Sequence, residues 1–362
     1  MASASGVSND ELLDLLKTTL PNLPQLEVEV ALTYQNYPFC NHMLKEGKKQ
    51  FEGGTQIVRN IQLNPSGAAK FVRPYQKVPR NVEDVQSQMK APWTIVQTDW
   101  SIERAEMMRN RGPARFVNLL KSRRQASMLG LADLLEQRAF LAPVNTTDDL
   151  NPQGVPYWLS MLPSGGTTAG FLGYTVRFAD GSTTSTTKGG IVSDATTNTN
   201  WANYAAIRPA ALNADMIKTL RMAFLKTHFQ SPILATDLVK GPLSNFRMYA
   251  CAQDIVDYET FAIEANENVG FDMQPFQGQT AFKRVPIIYA PVLDGVTFTP
   301  FYGVNYSHFF PFVQEGNWLR EENPAPTAEQ VDTFTTVVIG AYNMACDNVR
   351  EGGFVLHTTT NW

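Results

Sequence analysis

The sequence predicts an α+β protein in which one long helix packs on a late antiparallel sheet. Three observations carry this reading. A helical stripe runs through the second hundred residues, a long β-rich alternation stands near the C-terminus, and the composition is that of a chain with a sizeable core. Of 362 residues, 43% are hydrophobic and 11% aromatic, which excludes disorder as the main state.

The helix is predicted from Pro113 to Ala139. Proline suits a first helical position because its missing N–H has no helical partner there. Phe116, Val117, Leu120, Leu131, Leu134, Leu135 and Ala139 follow, mostly three and four apart. Arg124 and Ser127 interrupt the stripe. At about 1.5 Å per residue such a helix spans roughly 40 Å.

In chain order, Ser8 or Asn9 opens a short leucine-rich helix that Pro21 and Pro24 stop. Residues 25–45 read as an extended or irregular arm. Residues 50–80 read as a two-stranded ribbon, with Gln56–Leu63 outward, Asn64–Gly67 as the turn and Lys70–Tyr75 returning. Its apolar content is too thin to stand alone, so it must dock on its own domain or on a neighbouring copy.

Residues 142–203 are rich in Gly, Thr, Asn and Ser, and 180–190 looks like an exposed insertion. Asn213 caps a helix to Phe229, Arg247–Ala252 is a strand, and Asp254 opens a helix reaching Asn268. Val285–Leu293 is a β-rich run, Phe298–Trp318 is aromatic and extended, and Thr333–Tyr342 is a long strand. Val349–Leu356 adds a turn and a last strand.

The net charge of −4 hides an asymmetry. Residues 41–80 hold eight bases against two acids, whereas from Cys251 onward fourteen acids face four bases. The two halves can attract one another between copies, or the basic half can face a polyanion. The low charged fraction, 18%, suits a chain that covers much of itself with neighbours. No basic-then-apolar leader opens the sequence, and no apolar run approaches the roughly 20 residues of a membrane span.

Cys40, Cys251 and Cys346 are odd in number and far apart, so reduced thiols are expected. Among the four histidines, Cys40-x-His42 is at best half of a zinc site, His228 ends a helix, and His308 sits among aromatics. The acids Glu321–Glu322 and Glu264/Glu267 are not aimed at one another by any motif. There is no nucleophile elbow and no nucleotide fingerprint. The sequence shows no active site and implies no cofactor.

Read in this order, the chain resembles the major capsid proteins of tailed double-stranded-DNA phages, whose Hong Kong 97-type fold encapsulin compartments share. The resemblance implies an N-terminal arm at 1–49 and an extended β-hairpin loop at 50–85. It implies a peripheral domain at 86–165 and 286–362 with its spine helix at 113–141, and an axial domain at 166–285 carrying the Thr/Gly-rich insertion. It further implies a structural, non-catalytic protein that assembles into pentamers and hexamers of a phage head in the host cytoplasm and ends in the virion. The partners implied are the chain itself, separate scaffolding and portal proteins, decoration proteins in some relatives, and packaged DNA held by non-specific contacts. No membrane is implied. Lys70, Arg73, Lys77, Arg115, Arg123 and Arg124 are the candidates for facing a neighbouring subunit or DNA. An encapsulin-type shell and, further off, a carbohydrate-active enzyme or a jelly-roll protein are the competing readings.

Overall fold

The computed structural model describes residues 37–45, 50–64, 69–77, 86–109, 113–163, 169–209, 213–228, 245–264, 280–326 and 332–358. The expected helix at 1–22 and most of the arm lie outside them.

The spine helix runs from Pro113 to Ala139, 27 residues, with the predicted bounds. Its buried stripe is Leu120, Arg124, Met128, Leu131, Ala132, Leu135, Glu136 and Ala139. The two charged members fit because each meets a partner. Leu134, expected on the stripe, is 40% exposed, because it lies one residue short of the buried Leu135 and about 100° around the helix from it. Just past the helix, Gly154 comes so close to its last turn that an added Cβ would fall 2.6 Å from the Ala139 carbonyl oxygen and 2.7 Å from that of Arg138.

The helix shares its core with a six-stranded sheet built around Thr333–Cys346. Alternation dictates the facing: Phe334, Thr336 and Val338 point inward while their neighbours are half-exposed. One edge of this strand pairs antiparallel with Thr94–Glu103 over ten residues, from Thr333↔Glu103 to Tyr342↔Thr94. Its other edge takes Phe309–Gln314, Arg320–Glu321 and Ala325–Pro326 in turn, and Gln50–Glu52 adds in parallel to Phe309–Gln314. Ser127 meets the sheet through Thr98, hydroxyl to hydroxyl at 2.8 Å.

A seven-stranded sheet has the spatial order 281–282, 285–289, 246–250, 301–305, 353–357, 203–207, 169–173. Helices Ala214–Thr227 and Ala252–Glu264 cover it with Met216, Leu220, Phe224 and Tyr258, closing a second core with Phe246, Phe282 and Phe354. Asn213 caps the first of these helices as expected, accepting the N–H groups of Asp215 and Met216 at 3.0 and 3.1 Å. The last strand, Gly353–His357, does not join the long strand's sheet. It lies instead in this second sheet, between Phe301–Asn305 and Asn203–Ile207. The turn after Cys346 redirects it, with Asn305 N–H donating to the Gly352 carbonyl at 2.8 Å.

Three further expectations are corrected. Pro38–Lys45 is a helix rather than irregular arm, with Phe39, Cys40 and Met43 buried. The ribbon exists, but Ile57–Gln62 pairs with Gln86–Ala91 and not with Lys70–Tyr75. Pro74 has no N–H for a ladder, and Tyr75 turns at φ +63°, so that stretch cannot run as a strand; the expected turn residues Pro65, Ser66 and Gly67 lie outside the described residues. The stretch 180–190 is exposed at Asp180, Gly181, Ser182, Thr184 and Gly190, as expected of an insertion, but Lys188 and Gly189 are buried and the chain on either side of it is core. Val176, Phe178, Ile191 and Trp201 sink into the main core. Beneath them Lys188 is fully buried, its ammonium donating to the carbonyls of Trp158 (3.0 Å) and Gly173 and to Asn203 Oδ1 (3.0 Å). Burial pulls this lysine down to about 7.

Candidate assembly surface

The hairpin is held by its own domain along one face. Ile57, Met89 and Ala91 are buried at its base, and Asn60, Gln62, Gln86 and Gln88 toward its far end are exposed. Lys90 N–H donates to the Gly189 carbonyl at 2.8 Å, Trp93 Nε1 to the Gly54 carbonyl at 3.0 Å, and Asn200 Nδ2 to the Leu63 carbonyl at 3.1 Å. The Arg59 guanidinium lies over the Phe312 ring at 5.0 Å. The ribbon therefore docks on its own domain from its base, at Ile57, Met89 and Ala91, to Leu63.

Beyond that base lies the stretch 69–77. Lys70, Arg73 and Lys77 are all exposed there. So are the apolar side chains between them: Phe71 and Tyr75 are exposed to their full extent and Val72 to about half. A local turn gives the segment a shape, with Gln76 N–H on the Arg73 carbonyl at 3.1 Å and Arg73 N–H on Gln76 Oε1 at 3.0 Å. Two fully solvated aromatic rings between cations are costly to keep in water, which makes this stretch the candidate interaction surface. In the sequence the same pattern stands as aromatic and basic residues alternating around Pro74.

The spine arginines are placed differently. Arg123 donates to the Ser101 carbonyl at 2.6 Å and to both carboxylate oxygens of Glu106 at 2.5 and 2.7 Å. Arg124, 5% exposed, meets Glu321 at 3.0 Å. Both thus brace the long helix against its own chain, Arg123 on Thr94–Glu103 and the short helix Arg104–Arg109, Arg124 on the strand Arg320–Glu321. Arg115 lies in the helix, and its side chain is outside the described residues.

The histidines are structural. His42 is buried with its ring 4.5 Å from that of Tyr306, His228 stacks on Phe224, and His357 Nε2 accepts the Leu162 N–H at 3.1 Å. His308, expected as packing among aromatics, is instead bridged by two acids, Asp347 at 3.0 Å and Glu351 at 3.5 Å. Burial disfavours its charged form, but the hydrogen bonds and charges of the two acids outweigh that and raise it to about 9. Among the described residues no three of His, Cys, Asp and Glu stand close enough to hold a metal ion, and no helix is long and apolar enough to cross a membrane.

Comparison with solved structures sets this architecture among known folds. A chain of the cyanophage A-1(L) capsid asymmetric unit superposes with a TM-score of 0.60, over 91% of this chain and 94% of that one, at 11% identity. The chain has the Hong Kong 97-type capsid fold. A chain of a satellite phage P4 procapsid aligns over 97% of this chain and 98% of that one at 11% identity, with a TM-score of 0.47. The capsid of a native GTA particle aligns over 88% and 90% at 8% identity, with a TM-score of 0.49. No family model matches the sequence. No curated protein matches it either.

Proposed function

We propose that this chain is the major capsid protein of a tailed double-stranded-DNA phage, a structural subunit that assembles with itself into the pentamers and hexamers of an icosahedral head. The observation that carries this is the end-to-end superposition on the cyanophage capsid chain. The exposed Phe71, Val72 and Tyr75 support it, because a patch of this kind gains its burial from a neighbouring copy.

In this reading Lys70, Arg73 and Lys77 lie across the acidic back half of the next subunit, with the rings buried between them. The carboxylate partners of Arg123 and Arg124 favour a role in fixing the spine over one in gripping DNA, so Arg115 is left as the spine candidate for a polyanion. Residues 1–49 serve as arm, 50–85 as extended loop, 86–165 and 286–362 as peripheral domain, and 166–285 as axial domain. The seven-stranded sheet runs across that last boundary. Scaffolding, portal and decoration proteins and packaged DNA complete the partners. The protein catalyses nothing, is assembled in the host cytoplasm and resides in the virion.

The test is expression of the chain alone and with its neighbouring genes, followed by negative-stain electron microscopy. Closed shells or rings of five and six subunits are expected. A persistent monomer in both preparations overturns the proposal, and shells filled with protein and free of nucleic acid replace it with an encapsulin-type compartment.

A further inference from the structure

The main core contains an acid that the packing of apolar side chains does not account for. Glu136 on the spine helix is 0% exposed. Its two oxygens each accept one backbone N–H from the start of the helix Pro38–Lys45, Phe39 at 3.2 Å and Cys40 at 2.8 Å. These are orphan donors of a helix N-terminus, which a carboxylate satisfies well. The spine thus holds the arm helix by one side chain, 96 residues away in sequence.

The surroundings oppose the charge that this arrangement uses. No lysine or arginine among the described residues pairs with Glu136. On its own helix the nearest acting charge is another acid, Asp133. From the arm helix Cys40 faces it and His42 packs nearby, against the Tyr306 ring. From the second sheet come Tyr249 and Tyr306, hydroxyl to hydroxyl at 2.6 Å. A buried carboxylate without a cation is expensive in its ionised form.

We propose that the joint between the arm helix and the spine is a proton-linked latch, in which Glu136 binds a proton from solvent as the helix seats and returns it as the helix lifts. The direction follows from which effect wins. Burial raises the acid from its ordinary 4.5 to about 7, against the pull of the Phe39 and Cys40 N–H groups. Seating therefore takes up a proton between about pH 4.5 and 7, and raising the pH through that window loosens the arm. The protonated acid keeps its carbonyl oxygen for one of the two N–H groups and no longer buries a charge. This latch does not depend on the capsid proposal, since it concerns contacts within one chain.

Cys40 reports the latch directly, because it is buried only while the helix is seated. The experiment is site-resolved modification of the full-length chain by methyl methanethiosulfonate at pH 5.5 and pH 8, each rate divided by that of the unfolded chain at the same pH. Protection of Cys40 is expected to fall at least about tenfold at pH 8 beyond any change at Cys251 and Cys346, which are buried elsewhere and whose shared change carries the His308 contribution. In Glu136→Gln the Cys40 protection is expected to change no more than that of Cys251 and Cys346, and in His42→Gln the excess dependence is expected to remain. A Cys40 profile no steeper than those of Cys251 and Cys346 in the wild-type chain overturns the latch whether or not the variants fold. So does an excess dependence that survives in Glu136→Gln or disappears in His42→Gln.

Discussion

Arg208 and Asp254 form an ion pair closed off from water, 2.6 Å apart with side chains 0% and 4% exposed. Arg208 follows a strand of the seven-stranded sheet, and Asp254 stands in the first turn of Ala252–Glu264, where the helix dipole favours an acid. The same guanidinium donates to the Thr299 carbonyl at 2.7 Å, so one side chain ties the sheet, the helix and the loop before Phe301 together.

Removing one member of this pair leaves a buried charge without a partner. Asp254→Ala is expected to cost about 3–5 kcal/mol in urea denaturation, whereas Arg208→Met with Asp254→Leu is expected to cost far less, since the second change removes the stranded charge. A single variant as stable as the double would show that water reaches the site.

His308 gives the fold a pH dependence of predictable sign. Its folded value of about 9 lies above its ordinary 6.5, so its contribution is fully present below about pH 6.5 and is lost as the pH rises through about 9. Because the three side chains keep some solvent contact, we expect about 1–2 kcal/mol rather than the full value of the shift. Thermal melts at pH 6 and pH 9.5 should therefore differ more for the wild-type chain than for His308→Gln. Equal differences would refute the assignment.

The parts of this fold that were legible in the sequence are those with a periodic signature. Pro113–Ala139 was readable to the residue because a proline fixes its start and apolar residues recur along it at helical spacing. The strand Gln86–Ala91 was not, since Gln-Ser-Gln-Met-Lys-Ala holds no β-branched residue and only a tertiary partner makes it a strand. The helix Pro38–Lys45 carried a first-position proline that could have disclosed it, yet its single buried turn gives no repeat. Glu136, Lys188 and Arg208 were unreadable as core residues. A charge is buried only where partners from distant segments meet it, and no local pattern encodes that meeting. The candidate surface was half legible: Lys70, Arg73 and Lys77 stood out, but the exposure of Phe71 and Tyr75 depended on the misassigned strand.

If the loop tip is an assembly contact, its apolar residues matter to the particle and not to the fold. Phe71→Ser with Tyr75→Ser is expected to leave the melting temperature within about 1 °C, because neither ring touches a core. In sedimentation the assembled fraction is expected to collapse. A lower melting temperature with normal assembly would reverse the assignment.

Gly154 supports the end of the spine by having no side chain. Gly154→Ala would drive a methyl group into the carbonyls of Arg138 and Ala139, backbone atoms that cannot swing aside. A loss of about 1–3 kcal/mol is expected in chemical denaturation. A neutral substitution would mean that the segment 151–154 is freer than its packing shows.

The long strand Thr333–Cys346 sets the order in which the protein can be made. Its longest partner, Thr94–Glu103, is synthesised more than two hundred residues earlier and pairs with no other strand among the described residues. Until the strand leaves the ribosome, the inward face of Thr94–Glu103 and the apolar stripe of the spine are both unsheltered. Pairings this distant in sequence form slowly, and chains waiting for them expose surface that aggregates. Truncation before residue 333 is therefore expected to give an insoluble fragment rather than a smaller domain, read from the soluble fraction on expression.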